Sequence, residues 1–386
     1  MLRDALVRHT PAPLLSVARR LVGRARRAAS ARRDIARWRA IAAAQPAPRT
    51  TPSVSYGHAH VPALDERSHG GMVKFQYLQQ AFPNAPLDFN LVYMGSSSPP
   101  HDLRRVLELA RARGAPVAWN QNGVGYPGWA GADWRRVNES MVAALGVAAH
   151  VFYQSAFCKL SADRWAREPA GAWEVLHNPV DTERFVPRSG ERGDGLRLLL
   201  GGNQYQQYRY DAALRTLAAL LRRGVDARLK VTGRLSWRPD WSRAEAEGRA
   251  LAQQLGVTER VDLVGGYTQD EAPIVLADAD LLLHPKYNDP CPGIVLEAMA
   301  CGLPVVYSSS GGVPELVGAD AGVGVPAPLD FEHDHPPDPD ELADAVLVVA
   351  GAHETYAAAA RSRAVERFDL RPWIERHRVV FQELLG

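Results

Sequence analysis

Asp289 and Glu297 are two carboxylates set on either side of a Pro292-Gly293 turn, with seven residues between them. An apolar run, Leu281-Leu282-Leu283, leads out through His284-Pro285 into the loop Lys286-Tyr287-Asn288-Asp289-Pro290-Cys291. Pro292 and Gly293 then open a helical stretch whose first-turn N–H groups are free to bind an anion. Asp289 lies just before that helix, and Glu297 just over one turn inside it. Gly302 stops the helix, and Pro304-Val305-Val306 begins the next strand. The chemistry this pattern suits is a ligand that is anionic at one end and rich in hydroxyls at the other. Amides would take the anion and carboxylates the hydroxyls.

The run Glu297-Ala298-Met299-Ala300-Cys301-Gly302-Leu303-Pro304-Val305-Val306, the spaced acid at 289 and the later Gly311-Gly312-Val313-Pro314-Glu315 together resemble glycosyltransferase family 4. These are the retaining GT-B enzymes, also described as glycosyl transferases group 1. Upstream, His177-Asn178-Pro179-Val180-Asp181 through Phe185 is similar to that family's interdomain segment. Arg367-Phe368-Asp369 through Trp373 is similar to its closing helix, which crosses back to the first domain. The resemblance covers residues 151–386 well and 52–150 loosely. It implies an α/β GT-B fold of two doubly wound, Rossmann-like domains facing a central cleft. It also implies a hexose moved from a UDP- or GDP-sugar to a glycan or lipid-linked acceptor, with no cofactor beyond the nucleotide-sugar co-substrate and no bound metal.

The same resemblance assigns roles. Glu297 would accept from ribose hydroxyls and Asp289, where the family more often has Glu, would face the donor sugar. Pro292, Gly293 and Ile294 would present backbone to the sugar and diphosphate. The family's basic pair follows the first strand of its second domain. Here Arg209 takes the second position, suited to bidentate contact with phosphate. The first position is Asn203, leaving a charge to be supplied from elsewhere, and Arg234 after Val231-Thr232-Gly233 is placed to do so. On the acceptor side stand Gly70-Gly71 and the polar loop around Asn120, Gln121 and Asn122, which hydrogen-bond but do not titrate. Two other readings stay open. A nucleotide-sugar epimerase would need a titrating base, for which His284 is the available residue, and a binding protein would hold the nucleotide sugar without turnover.

Two further acidic clusters compete for attention. Asp278-Ala279-Asp280 has metal-ligating residue types, but it enters the Leu281 strand at the end away from a strand-top site, and reads as a helix end and strand start. Glu332-His333-Asp334-His335 lies in a Pro-rich acidic stretch and reads as a solvated loop. There is no phosphate-binding loop of the Walker type and no Gly-x-Ser-x-Gly elbow.

The elements that must position these residues follow a β/α rhythm. In the first half, strands are expected near 54–56, 89–94, 116–120, 150–154 and 173–177, with helices near 72–82, 102–113, 134–144 and 156–166. In the second, apolar runs predict strands near 196–200, 228–232, 261–264, 280–284, 304–308 and 322–325. Helices are expected near 210–223, 242–255, 270–277 and 293–301, and two more, near 338–350 and 372–385, close the chain. This divides the 386 residues into a basic segment and linker (1–50), a first domain (51–187), a second domain (188–370) and a returning helix (371–386).

Charge is unevenly spread. Residues 1–50 hold 12 arginines against Asp4 and Asp34, while the whole chain carries only +2. Leu14, Ala18, Leu21, Ala25 and Ala28 fall on one helical stripe, with Arg19, Arg20, Arg24, Arg26 and Arg27 mostly off it. That suits an anionic membrane surface through residues 14–42 and equally a solvated arginine-rich helix or tail with no partner, whereas a nucleic-acid partner is not expected. No apolar run reaches the length of a membrane span, and arginines at 3, 8, 19 and 20 interrupt any secretory signal. Three scattered cysteines suit a reducing compartment. The expectation is a cytoplasmic protein at the inner face of the membrane.

Overall fold

A computed structural model describes residue 36 and residues 38–189 and 193–386. The Leu14–Ala28 stripe and the 190–192 part of the central linker lie outside the described residues. Two parallel sheets stand side by side. The first runs in the order β1 (Val54–Ser55), β2 (Leu91–Gly95), β3 (Val117–Gln121), β4 (His150–Tyr153), β5 (Ala172–Val175). Its alternating side chains feed two cores. Val92, Met94, Trp119 and Val151 pack under α2 (Leu103–Ala112), α3 (Trp134–Leu145) and α4 (Ala156–Trp165). Leu91, Tyr93 and Phe152 face the other way, onto α1 (Gly70–Ala81).

Residues 45–52, whose Pro-rich composition predicts an extended linker, are pinned to this domain. Ala47 N donates to Asp88 O (2.7 Å), and Asn90 Nδ2 donates to the carbonyls of Pro48 (2.7 Å) and Thr51 (2.8 Å). Just before them, residues 38–43 are helical and bury Ile41 in the first core.

The second sheet has the order β11 (Gly322–Pro326), β10 (Val305–Ser309), β9 (Leu281–His284), β6 (Leu196–Leu200), β7 (Ala227–Thr232), β8 (Val261–Gly265), all parallel. Apolar runs at 198–200 and 281–283 are what a strand covered on both faces requires, and Arg197, at the entry of its strand, is only partly buried. Leu198, Leu200, Leu281 and Leu283 pack beneath α5 (Gln207–Arg222), α6 (Trp241–Gln254) and α10 (Pro339–Gly351). Leu199 and Leu282 pack beneath α7 (Ala272–Ala277), α8 (Gly293–Ala300), α9 (Val313–Val317) and α11 (His353–Phe368). Winding reverses between β6 and β9, so the carboxyl ends of those two strands open the crevice where ligands bind in such sheets.

Three helices close the chain rather than two. α11 went unseen because its AAAA and Arg-rich turns carry little apolar periodicity; only Ala360, Ala364 and Phe368 are buried. The last helix, α12 (Leu370–Leu385), is capped by Asp369 and lies on the first sheet, not the second. His377 sits at the centre of that contact, fully buried and stacked on Phe152 at 4.4 Å, with Nε2 3.2 Å from Tyr93 Oη. Burial pushes its pKa down to about 3, so the ring is neutral in the core. Where the chain crosses, Val180 bridges Asp369, with Val180 N donating to Phe368 O (2.8 Å) and Leu370 N to Val180 O (3.0 Å).

Candidate functional site between the two sheets

β6 ends in Gly201-Gly202, and the side chain of Ile294 fills the space a Cβ at 201 would need, only 2.5 Å from Ile294 Cγ1. That close approach brings the N-terminus of α8 against the end of β6. No side chain caps α8, Pro292 is its N-cap, and Gly293 is exposed with open space beyond its Cα. The first amides of α8 therefore face the crevice with the positive end of the helix dipole behind them.

Asp289 comes off the end of β9. Its Oδ2 lies 3.0 Å from His284 Nε2, and its Oδ1 lies 3.0 Å from Lys286 Nζ. Burial opposes its charge, but the Lys286 ammonium and the His284 hydrogen bond outweigh it and hold the carboxyl well below the usual range. The backbone around it is tightly defined. Asn288 adopts φ 50°, the one non-glycine residue with positive φ among the described residues, and Gly312 N donates to Asp289 O (2.9 Å). Gly311, at φ 66°, lies where a Cβ would come within 2.5 Å of Asp289 O.

Glu297 lies half-buried one turn into α8. Gln269 Nε2 donates to its Oε1 (2.8 Å) and is 3.1 Å from Tyr77 Oη, so the carboxylate reaches the first domain through a single amide. Burial raises its pKa, with the Gln269 hydrogen bond and Arg184 acting against the rise.

The guanidinium of Arg209 is buried at the same crevice. It donates to the carbonyls of Asn203 (2.9 Å) and Gly201 (3.3 Å), its Nε has no partner, and no carboxylate pairs with it among the described residues. Arg209 and Lys286 flank the half-exposed ring of Tyr205, at 5.6 and 5.3 Å. A buried cation without a counter-ion is suited to an anionic ligand. Asn203 and Arg234 do something else. Asn203 Oδ1 accepts from Arg234 N (2.9 Å), and the Arg234 guanidinium lies over Trp241 at 4.3 Å, on the exposed side of the β7 exit loop. The cation that accompanies Arg209 in the crevice is Lys286. Its sequence signal, a lysine three residues before the acid, was present but unassigned.

Opposite stands the first domain. α1 begins at Gly70, which faces open space. Gly71 is packed so closely that a Cβ would lie 2.6 Å from Ser97 O. One turn on, Lys74 is buried, with Nζ donating to Ser97 Oγ (3.0 Å) and Asn120 Oδ1 (3.1 Å). Burial with no carboxylate nearby pulls its pKa down to about 8. Asn120 also accepts from Gln154, and Asn178 Nδ2 bonds both Gln154 Oε1 (2.8 Å) and Cys291 O (2.9 Å). A chain of amides thus runs from Lys74 to the loop that carries Asp289. Asn122 N donates to Ser96 Oγ (2.7 Å), and its neighbour Gly123 abuts Pro290. Lys74 and Gln269 were missed because only the fold brings them to the crevice.

Further contacts fix the two domains together. Glu315, at the start of α9, accepts from Ala156 N (2.8 Å) and Phe157 N (3.0 Å), capping α4 of the other domain, and Ser155 Oγ donates to Pro290 O (2.7 Å). Asp278 and Asp280, in contrast, lie at the opposite end of β9 in a cluster with Arg188, Arg197 and Lys230. They serve structure there, as their position before the strand implied.

Residues 196–352 match the family described as Glycosyl transferases group 1. Curated relatives align over a part of the chain of similar length. A D-inositol 3-phosphate glycosyltransferase of Salinispora tropica is 31% identical over 167 residues, 39% of this chain and 34% of the relative. A GDP-mannose-dependent alpha-(1-6)-phosphatidylinositol monomannoside mannosyltransferase of Mycolicibacterium smegmatis is 34% identical over 165 residues, 39% of this chain and 41% of the relative. These matches span between 34% and 41% of the relatives' own length. Among solved structures, sucrose-phosphate synthase of Thermosynechococcus elongatus superposes with a TM-score of 0.63 at 18% identity, over 81% of this chain and 76% of that one. Anabaena HepE in complex with UDP and glucose gives 0.63 at 17% identity, over 81% of each chain. No helix among the described residues is long and apolar enough to cross a membrane. The uncapped α8 between two acids, the paired cations at the β6–β9 reversal and these matches agree: the chain has the two-sheet GT-B fold, and its residues 196–352 resemble the Glycosyl transferases group 1 family.

Proposed function

We propose that this chain is a retaining hexosyltransferase that takes its sugar from UDP or GDP and passes it to a glycan or lipid-linked acceptor. The observation that carries this reading is the buried Arg209 guanidinium, which has no carboxylate of its own and stands beside Lys286 at the β6–β9 crevice. Arg209, Lys286 and the α8 amides would hold the diphosphate and stabilise its charge as it leaves. Glu297 would accept from the ribose hydroxyls, and Asp289 would face the sugar. With that much positive charge supplied by the chain, the reaction needs no divalent ion, and EDTA should leave the rate unchanged. Gly70, Gly71, Asn120 and Asn122 would form the acceptor wall, with Lys74 beneath them. The relatives support a nucleotide-sugar donor: the Mycolicibacterium mannosyltransferase is GDP-mannose-dependent, and the Anabaena structures hold UDP and UDP-glucose.

The test is donor consumption by wild type and Glu297→Ala, with products resolved by NMR. Loss of transfer in the variant, and a product of retained anomeric configuration, are expected. Equal turnover would remove the site, and a changed sugar without acceptor would identify an epimerase. His284, which that alternative needs as base, is buried against Asp289 and depressed in pKa by that burial. Thermal shifts with UDP, GDP and their sugars would name the base.

The basic residues 14–42 would bring the enzyme to an anionic membrane surface. Replacing Arg19, Arg20, Arg24, Arg26 and Arg27 with Gln should abolish co-sedimentation with anionic liposomes; unchanged binding would refute it.

A further inference from the structure

Between β11 and α10, residues 327–338 leave the second domain and insert into the first. Phe331, 2% exposed, lies in a pocket made by Tyr126, Phe157 and Trp165. Its ring stacks on Phe157 at 5.7 Å and meets Tyr126 edge-on at 5.1 Å, and its carbonyl accepts from Gly128 N (2.8 Å). Gly128 has no room for a Cβ, which would lie 2.9 Å from His333 N. The stretch expected to be a solvated loop keeps Glu332 and His333 exposed but is tied down as a strap, anchored by Phe331, while its other large apolar side chain, Leu329, is exposed.

The strap's other contacts are with the loop that carries Asp289. Tyr287 Oη donates to Pro328 O (2.7 Å) and accepts from Asp330 N (3.0 Å). Asn288 Nδ2 donates to Asp330 O (2.8 Å). Gln206 Nε2 donates to Asp334 Oδ2 (2.9 Å), tying the strap to the β6 exit as well. Asn288 is the residue at φ 50°. A non-glycine residue stays in that region only when its surroundings hold it, and here the hydrogen bond to the strap is one of the holders. The direction in which Asp289 leaves the backbone depends on that conformation.

We propose that Phe331 is a positioning residue: docked in the first domain, it holds the strap that fixes Asn288 and so aims Asp289 into the crevice. This rests on the transferase reading for its kinetic consequence, though not for its structural one. It also gives the joint between the domains a role in the chemistry, since Asp289 is aimed only when the first domain's aromatic pocket is filled.

The experiment pairs Phe331→Ala with Tyr287→Phe, the latter removing the hydroxyl that grips the strap from the other side. Phe331→Leu keeps an apolar anchor and serves as the folded control. Phe331→Ala should lower kcat by about tenfold to a hundredfold, as sub-ångström misplacement of a reacting group does. Donor KM and the affinity for UDP or GDP should change several-fold less than kcat, because Glu297 and Arg209 lie on other elements and Lys286 alone of the proposed donor cations shares the strapped loop. Phe331→Leu should recover most of the rate. The double variant should be no slower than the slower single one, since both cut the same strap. Hydrogen exchange in the unliganded protein should speed up at residues 287–291 in Phe331→Ala, whatever the protein's activity. Unchanged exchange there, or a kcat equal to wild type in a chain that does turn over, overturns the proposal. A wild type that neither binds nor consumes nucleotide sugar, yet shows the exchange change, overturns the transferase reading alone.

Discussion

Replacing Lys286 with Met removes the positive partner of a buried pair while keeping most of the side chain's length. The two groups are 3.0 Å apart, and their side chains are 13% and 10% exposed. At an effective dielectric of about 20 their attraction is roughly 5 kcal/mol. Breaking a buried pair from one side costs about 3–5 kcal/mol, because the remaining charge stays desolvated. His284 would still donate to Asp289, so the lower end, about 3 kcal/mol, is the expected loss of stability at pH 7. Because the folded-state pKa of Asp289 is depressed, its stabilising contribution is present above the unfolded carboxyl value near 4 and is lost as pH falls below it. The gap between wild type and Lys286→Met should therefore narrow as the pH drops under about 4, because the unfolded chain then takes up a proton that Asp289 of the folded wild type still resists. Urea denaturation at pH 7 and pH 3, followed by a signal from the second domain, reads this directly. Titration with UDP and GDP should show affinity weakened about tenfold. A loss under 1 kcal/mol at pH 7, or one as large at pH 3, would show that the pair does not hold Asp289 ionised.

Glu315→Gln should cost about 1–2 kcal/mol, since two amides of α4 lose a charged acceptor. Burial opposes the charge of Glu315, but His177 and those amides lower its pKa overall, so the cost should fade as pH drops below the usual glutamate range. Lys74 behaves oppositely. With a folded pKa near 8 against about 10.4 unfolded, the native state sheds its proton first, so stability rises with pH across that window by up to about 1.4 kcal/mol per unit. Lys74→Met should flatten that rise in a thermal-melt series from pH 7 to 10, and an unchanged slope would count against the assignment. Gly311→Ala should slow donor turnover while leaving nucleotide binding intact, because its new methyl meets the backbone of Asp289. Wild-type rates would show that this backbone yields without consequence.

Most of the second domain was readable because its physics is local. Buried parallel strands need apolar runs, and the strand Leu196–Leu200, apolar at every position but Arg197, was placed to the residue. The acidic pair was legible from a turn, a proline and a glycine. What the sequence did not reveal was assembled by topology. Lys74, Gln269 and Lys286 reach the crevice from α1, the β8–α7 loop and the β9 exit, and nothing local marks them as partners. Arg234 was read as a replacement cation from its place after β7, but a free indole face at Trp241 holds its guanidinium. The acidic run at 332–335 was read as solvated by composition, which averages over the single phenylalanine that decides its path. α11 escaped because its buried stripe is narrow and alanine-rich.

The placement of α12 on the first sheet has a consequence for biosynthesis. Tyr93 and Phe152 emerge from the ribosome with one hydrophobic face bare, and the residues that will cover it, Trp373, His377 and Phe381, are made more than two hundred positions later. The amino-terminal half can therefore reach its final state only after translation has passed through the entire second domain. A fragment cut at the central linker should emerge as a sticky intermediate that needs residues 370–385 added in trans, while the complete polypeptide gains a built-in check that both halves were synthesised.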